Sequence, residues 1–257
     1  MRNKLINGLH LAIVTNSHGG FGGSMFGVET FAVCKQLGVP AIFATYDHQR
    51  SYPAIGPDLR RLNIPGLITS TRRHANAFED LAAVFAEAQA IRKLVIIDIP
   101  AAFSTNHPMF EELKNSGVLA ATTTAALVPV LSGDNGISGA STAIRQFTDL
   151  GIRFGRGLIR RWTLHGDPSP TDMSRLPNYP LWRAASLSMR AQELIHQEIQ
   201  RVGNPALHTL PRLCELQALG EVSTFDKSPI QEAIDHLVSA RTAIFNTILA
   251  PITKRIH

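Results

Sequence analysis

Apolar positions along the chain fall into short continuous runs separated by longer stretches of helical period. His10 to Thr15, Ala41 to Thr45, Leu94 to Ile97 (ending at Asp98), Ala126 to Leu131 and roughly Gly157 to Thr163 read as strands. A further short run, Gly66 to Thr69, fits a sixth. Runs that are apolar throughout, rather than alternating, indicate strands covered on both faces of a sheet. Between them, Val28 to Leu37, Ala77 to Arg92 and Ser138 to Leu150 repeat apolar residues every three or four positions, and Gly151 stops the last. Strand and helix in alternation predict parallel strands joined by helical crossovers. The expected fold is α/β: a three-layer, doubly wound, mainly parallel sheet.

The texture changes after Asp167. HGDPSPTDMSRLPNYP is rich in turn residues. Beyond it, Leu181 to Val202, Leu207 to Leu219 and Pro229 to about Ala250 read as helices. Ser228, Pro229 and Gln231 suit a capping box at the start of the last one. Its apolar stripe, Ile230, Ala233, Ile234, Leu237, Val238, Ile244 and Ile248, predicts a buried face, with dimer contact as the alternative. The chain therefore divides into an α/β core over 1–165 and a mainly helical portion over 181–257. Both are expected within one domain, 1–257.

Composition narrows the class. Hydrophobic residues make up 44% and charged residues 18%, which excludes long disorder. Every apolar run falls well short of the about 18 residues a membrane span needs. The start of the chain lacks the pattern of a signal peptide. Cys34 and Cys214 form no metal or redox spacing and read as reduced packing residues of a cytoplasmic protein. His10, His48, His107 and His208 stand alone, without a metal-binding spacing. A net charge of +5 allows contact with nucleic acid or an acidic surface without establishing it.

The candidate chemistry sits between the first strand and the first helix, in NSHGGFGGSMFG. A dinucleotide fingerprint would need a small residue at position 25, where Met25 stands. That makes an NAD-dependent oxidoreductase, with Asp47 as its ribose acid, a remote reading. An oxyanion loop would need a GxSxG nucleophile elbow, which the sequence lacks. A phosphate loop fits the open backbone of Gly19, Gly20, Gly22 and Gly23 and places Ser24 as a magnesium hydroxyl. A ligand-free glycine turn is the bland alternative.

Four motifs in order resemble the deviant P-loop ATPases of the ParA/MinD family. HGGFGGSM, His18 to Met25, aligns without gaps to KGGVGKST. ATYDHQ is similar to the family's DxDPQ and keeps Asp47 and Gln49, while VIIDIPAAF is similar to VIIDTPPG and keeps Asp98 and Pro100. LVPVLSGDNGISGASTAIRQF and RGLIRRW follow where the family has its fourth strand and the strand leading to the adenine contacts. The resemblance spans roughly 9–165. It implies ATP and Mg2+ as ligands. His18, Gly19, Gly20, Phe21, Gly22, Gly23, Ser24 and Met25 would hold the nucleotide, Ser24 and Asp98 the metal, and Asp47 the attacking water. It further implies a homodimer that engages DNA or a partner protein. The role closest in texture is plasmid partition, stability or mobilisation, of the StbB and MobD kind.

The departures are as informative. Both family lysines are gone, replaced by His18 and Gly23, and the first switch I aspartate is Thr45. One lost charge-assisted contact costs about 1.5–3 kcal/mol. Binding should survive this better than hydrolysis, which depends on neutralising transition-state charge. The expectation is an ATPase-like protein with impaired turnover, or an adaptor that kept the fold and lost the nucleotide. Basic groups at Arg60–Arg61, Arg72–Arg73 with His74, and Arg153, Arg156, Arg160 and Arg161 are candidates for non-specific DNA contact.

Overall fold

The computed structural model describes residues 2–5, 8–15, 23–46, 56–62, 71–99, 115, 122–130, 134–162, 173–185, 187–200, 213–215, 217–218 and 227–256. Among these, nine strands are formed: β1 (Arg2–Leu5), β2 (Leu9–Val14), β3 (Ala41–Thr45), β4 (Leu59–Arg61), β5 (Leu94–Asp98), β6 (Thr122–Val130), β7 (Phe154–Trp162), β8 (Leu181–Ala184) and β9 (Thr253–Ile256). The helices of a turn or more that bear on the site are α1 (Gly23–Gln36), α2 (Thr71–Ile91), α3 (Asp134–Asp149), α4 (Met189–Gln200) and α5 (Lys227–Ile244). Seven strands form one sheet in the order β4-β3-β5-β2-β6-β7-β8, with each neighbouring pair parallel. This is the doubly wound arrangement that the alternating pattern predicts.

Burial explains why the central strands are apolar throughout. Every residue of β2, β3 and β5 is buried. One face packs against α2 through Leu81, Val84, Phe85 and Ala88, which share a cluster with Leu11, Ile13, Ile42, Ala44, Val95 and Ile97. The other face packs against α1 and α5 in a cluster running from Leu5 to Ile252. α1 lies between the sheet and α5, so Phe26 to Cys34 are buried without a break. A helix covered on both sides has no polar stripe to show. Burial pushes the Cys34 thiol up to about 12, which keeps it an inert packing residue. Cys214 is exposed, contrary to the packing role expected of it.

Two glycines set how closely α1 approaches the sheet. A Cβ on Gly27 would stand 3.0 Å from Phe43 Cε2 and 3.3 Å from Val14 Cγ2. One helical turn earlier, a Cβ on Gly23 would stand 3.1 Å from Val14 Cγ1. Phe43 is fully buried and braced edge-on by Phe31, with ring centroids 6.3 Å apart. At the far end of α1, Lys35 pairs with Asp58, which also accepts from Lys93 at 2.7 Å. Burial would raise the Asp58 carboxyl, but hydrogen bonds from the two lysines hold it below its ordinary range. Gly151 ends α3 as expected, at φ 87°, where Gly151 N donates to Thr148 O and Ile152 N to Phe147 O.

Several boundaries differ from the sequence expectation. α1, α2 and α3 begin at Gly23, Thr71 and Asp134 rather than Val28, Ala77 and Ser138, because their first turns carry no apolar period. β6 and β7 start earlier for the same reason, at Thr122 and Phe154. Leu181 to Val202 is not one helix. Leu181–Ala184 adds a seventh strand beside β7, with Trp182 and Ala184 buried and Arg183 exposed between them, and α4 starts only at Met189, capped by Ser188 Oγ accepting from Ala191 N. The expected strand at Gly66 to Thr69 lies outside the described residues, and the edge position is held by Leu59–Arg61. In the 207–219 stretch, 213–215 and 217–218 are helical, and the remaining positions lie outside the described residues.

The last helix also departs from its forecast. It begins at Lys227, so Ser228 lies inside it, and Gln231 bonds to Asp235 and Gln217 rather than closing a capping box. Pro251 cannot continue a helix. The chain instead turns through Phe245–Leu249 and Ala250–Ile252 into β9, which pairs antiparallel with β1. Of the expected stripe, Val238 alone is exposed, at 48%.

Gly27→Ala should lower the melting temperature despite alanine's better helix propensity, because Phe43 has no room to move. A thermal melt with equal or higher stability would contradict this packing account.

Candidate functional site

The carboxyl ends of the central strands form one level across the sheet. Val14 of β2 is in register with Asp98 of β5, Asp98 with Thr45 of β3, and Thr45 with Arg61 of β4. Alternation places all four on the face that carries α1. Val14 meets α1 at Gly23 and Gly27, Phe43 meets it at Gly27, and Leu59 packs in the same cluster. Thr15, Thr45 and Asp98 are buried, with Asp98 only 2% exposed. Thr15 N donates to Leu127 O at 2.9 Å, which ties the end of β2 to β6. In an open α/β sheet, such a carboxyl edge beside the first helix is where ligands bind.

The expected phosphate-loop residues divide in two. His18, Gly19, Gly20, Phe21 and Gly22 lie outside the described residues, as does Asp47. Gly23, Ser24 and Met25 are the first three residues of α1 and are half-buried. Met25 packs against the core cluster. Ser24 therefore sits in the first turn of α1, whose backbone N–H groups have no intrahelical acceptor. Asp98 ends the strand next to β2. A hydroxyl and a carboxylate at one sheet edge, both hard oxygen donors, fit a Mg2+ that keeps water and phosphate oxygens as its other ligands. Among the described residues, no group of three or more His, Cys, Asp or Glu side chains is gathered as a metal site.

The four candidate DNA-contacting arginines do not share a surface. Arg153 is exposed and Arg156 half-buried, both near the start of β7, at the edge opposite Gly23 and Asp98. Arg160 and Arg161 are 0% and 3% exposed, which removes both from a nucleic-acid face. Elsewhere, Arg60 is held by Glu87 through bonds of 2.6 and 2.9 Å.

Arg160 has a different role. Its Nη1 donates to Glu29 Oε2 at 2.9 Å, and His236 Nε2 lies 2.8 Å from Glu29 Oε1. All three side chains are at least 97% buried. They join α1, β7 and α5. Aromatic rings pack around them: the Arg160 guanidinium lies 4.8 Å from the Phe26 centroid, and Trp182 packs at a tilt against Phe26 and His236, with centroids at 5.8 and 5.4 Å. Trp182 Nε1 donates to Ser239 Oγ, adding β8 to the assembly. Burial alone would raise the Glu29 carboxyl, but the His236 and Arg160 charges outweigh it and hold it below the ordinary range. Sequence reasoning missed Glu29, His236 and the close approach at Gly27. The available signal was one acid inside an otherwise apolar stretch of α1.

No protein-family model matches the chain, and no curated protein matches it in sequence. Solved structures do match its fold. A ParA family ATPase from Chlorobium tepidum TLS superposes with TM-score 0.52 at 12% identity, covering 92% of this chain and 99% of its own. The septum site-determining protein MinD of Pyrococcus horikoshii OT3, complexed with Mg-ADP, gives 0.52 at 10% identity, covering 91% and 94%. A McdA variant of Cyanothece in complex with ATP gives 0.53 at 12% identity, covering 98% and 100%. The fold is that of the ParA/MinD P-loop NTPases.

Glu29→Gln leaves Arg160 buried without its counter-charge and should cost about 3–5 kcal/mol. Because Glu29 is depressed in the folded state, its contribution is present above the ordinary glutamate pKa of about 4.3 and is lost as pH falls through the lower folded value. Chemical denaturation at neutral pH and near pH 3 should therefore show the wild-type advantage over Glu29→Gln shrinking in acid. An advantage that is constant with pH would contradict the charge assignment.

Proposed function

We propose that this protein binds ATP with Mg2+ at the carboxyl edge of its sheet and acts as a nucleotide-dependent dimer that engages DNA or a partner protein. Turnover is weak or absent. The observation that supports this most is the placement of Asp98. It is buried at the end of β5, in register with Val14, the residue against which Gly23 opens α1. Structures of the same fold have been solved with Mg-ADP and with ATP. In this reading Ser24 and Asp98 hold the magnesium. The loop His18 to Gly22 and the first turn of α1 supply N–H donors to the phosphates, and Met25 anchors the helix in the core. Asp47 orients water.

When bound, Mg–ATP would supply phosphate oxygens and a metal charge at this edge. The chain's own contribution is to orient it by N–H groups and to set the metal with one hydroxyl and one carboxylate. With Gly23 in place of lysine, less charge is neutralised in the transition state, so hydrolysis suffers more than binding. Arg153, just before β7, is the exposed member of this basic group and the one placed to meet nucleic-acid phosphate. Plasmid partition, stability or mobilisation in the cytoplasm is the setting that the motif order favours.

Thermal stability with ATP–Mg2+, ADP, NAD and no ligand tests the reading. A nucleotide binder shifts upward with ATP–Mg2+, by RT ln(1 + [L]/Kd) in free energy. No shift with millimolar ATP would overturn it and leave the adaptor that kept only the fold. A shift with NAD alone would favour the oxidoreductase.

DNA affinity, measured between low and physiological salt, should fall steeply as salt rises. Affinity indifferent to salt would exclude phosphate contact by Arg153.

A further inference from the structure

Two strands stand apart from the main sheet. β1 and β9 pair antiparallel, with Arg2 in register with Ile256, Asn3 with Arg255, Lys4 with Lys254 and Leu5 with Thr253. These positions carry Arg2, Lys4, Lys254 and Arg255 and no acid. Residues opposite each other in such a pair share a face, and successive positions alternate. Leu5 is buried in the cluster that holds α1 and α5, while Lys254 is exposed. The ribbon therefore turns the positions of Leu5 and Thr253 to the core and those of Arg2, Lys4 and Lys254 outward. Leu9 opens β2 four residues after Leu5, so at most about 14 Å of chain joins the ribbon to the amino end of the sheet. Arg153 stands at that end too, exposed just before β7. Arg156 has the parity of Leu158, which packs in the same cluster as Leu5. Among the described residues its Nη1 is buried with no hydrogen-bond partner, and no carboxylate offsets the burial that lowers its pKa.

We propose that the outward face of this ribbon, together with Arg153, is a docking face for the phosphate backbone of duplex DNA. This deepens the reading above, which leaves DNA and a partner protein open, and rests on its DNA branch. The charge has one sign on both strands, which an acidic polymer complements. Each strand of the ribbon is four residues long. That is a length of about 13 Å, the rise of about four phosphates along one strand of B-DNA. Arg156 adds an uncompensated charge behind this face and strengthens its field without touching the phosphates. Contacts to the backbone carry no sequence information, so binding is sequence-independent. An acidic membrane fits less well, since insertion needs an apolar face and Leu5 is taken up by the core. The ribbon joins the end of the sheet opposite Gly23 and Asp98, so DNA and a nucleotide do not compete for one edge.

Anisotropy titrations of a mixed-sequence duplex over a salt series, with and without ATP–Mg2+, test this. They compare wild type, Lys254→Ala, the double variant Lys4→Ala/Lys254→Ala and Arg190→Ala, a charge lost from the exposed start of α4. The unliganded melting temperature is the fold control. Each lost lysine should reduce the slope of log affinity against log salt by about 0.9. At low salt the double variant should bind about tenfold more weakly or worse. Arg190→Ala and all melting temperatures should stay near wild type. If the double variant is unstable, Lys254→Ala reads the same slope difference from one exposed position. An unchanged slope would overturn the proposal, as would an equal loss in Arg190→Ala, which marks a general effect of net charge. Phosphatidylglycerol vesicles bound through the two lysines, with duplex binding untouched, would assign the face to a membrane instead. If wild type binds no duplex even at low salt, the DNA branch fails and this face with it. Duplex binding that survives the double variant sinks the face alone.

Discussion

The buried carboxylate of Glu29 is the point at which the molecule is tied together. It takes one bond from Arg160 and one contact from His236, residues that lie 131 and 207 positions away in sequence. Glycines on the inner side of α1 give it close contact with Val14 and Phe43 but no specific polar grip. On its other side, the Glu29 cluster fixes it against β7 and α5. A buried charge cluster contributes little net stability once desolvation is counted, and its removal partner by partner is costly. Its contacts join three elements, α1, β7 and α5, in one arrangement. That arrangement sets where Gly23 and Ser24 open the helix.

The site follows from this constraint. α1 approaches the sheet closely enough that position 23 has become a packing position. Asp98 remains buried at the adjacent strand end, one register step from Val14. On the α1 face, Arg160 is taken up by the core and bound to Glu29.

Much of the fold was legible in the chain. Ala41–Thr45 and the run ending at Asp98 are strands within a residue of where apolar continuity puts them, because strands buried on both faces have nowhere to hide a polar position. Helix starts were not legible, since Gly23 to Gly27 and Thr71 to Asn76 lack an apolar period. β8 was read as helix because Trp182 and Ala184 alternate over too few residues to outweigh the longer helical pattern that follows. The charged residues misled most. Arg160 and Arg161 in sequence look like any surface pair, and their burial depends on partners that only the folded sheet brings near. Ser24 and Asp98 are candidates by motif order and their placement at one sheet edge follows from the fold, whereas Glu29 and His236 belong to no motif.

The most direct test of the central claim is a crystal structure of the protein grown with Mg2+ and a non-hydrolysable ATP analogue. The account predicts the phosphates against the residues leading into α1, with the metal between Ser24 and Asp98 and α1 unmoved relative to Glu29, Arg160 and His236. An analogue bound elsewhere at saturating concentration, or an edge that stays empty, would contradict it.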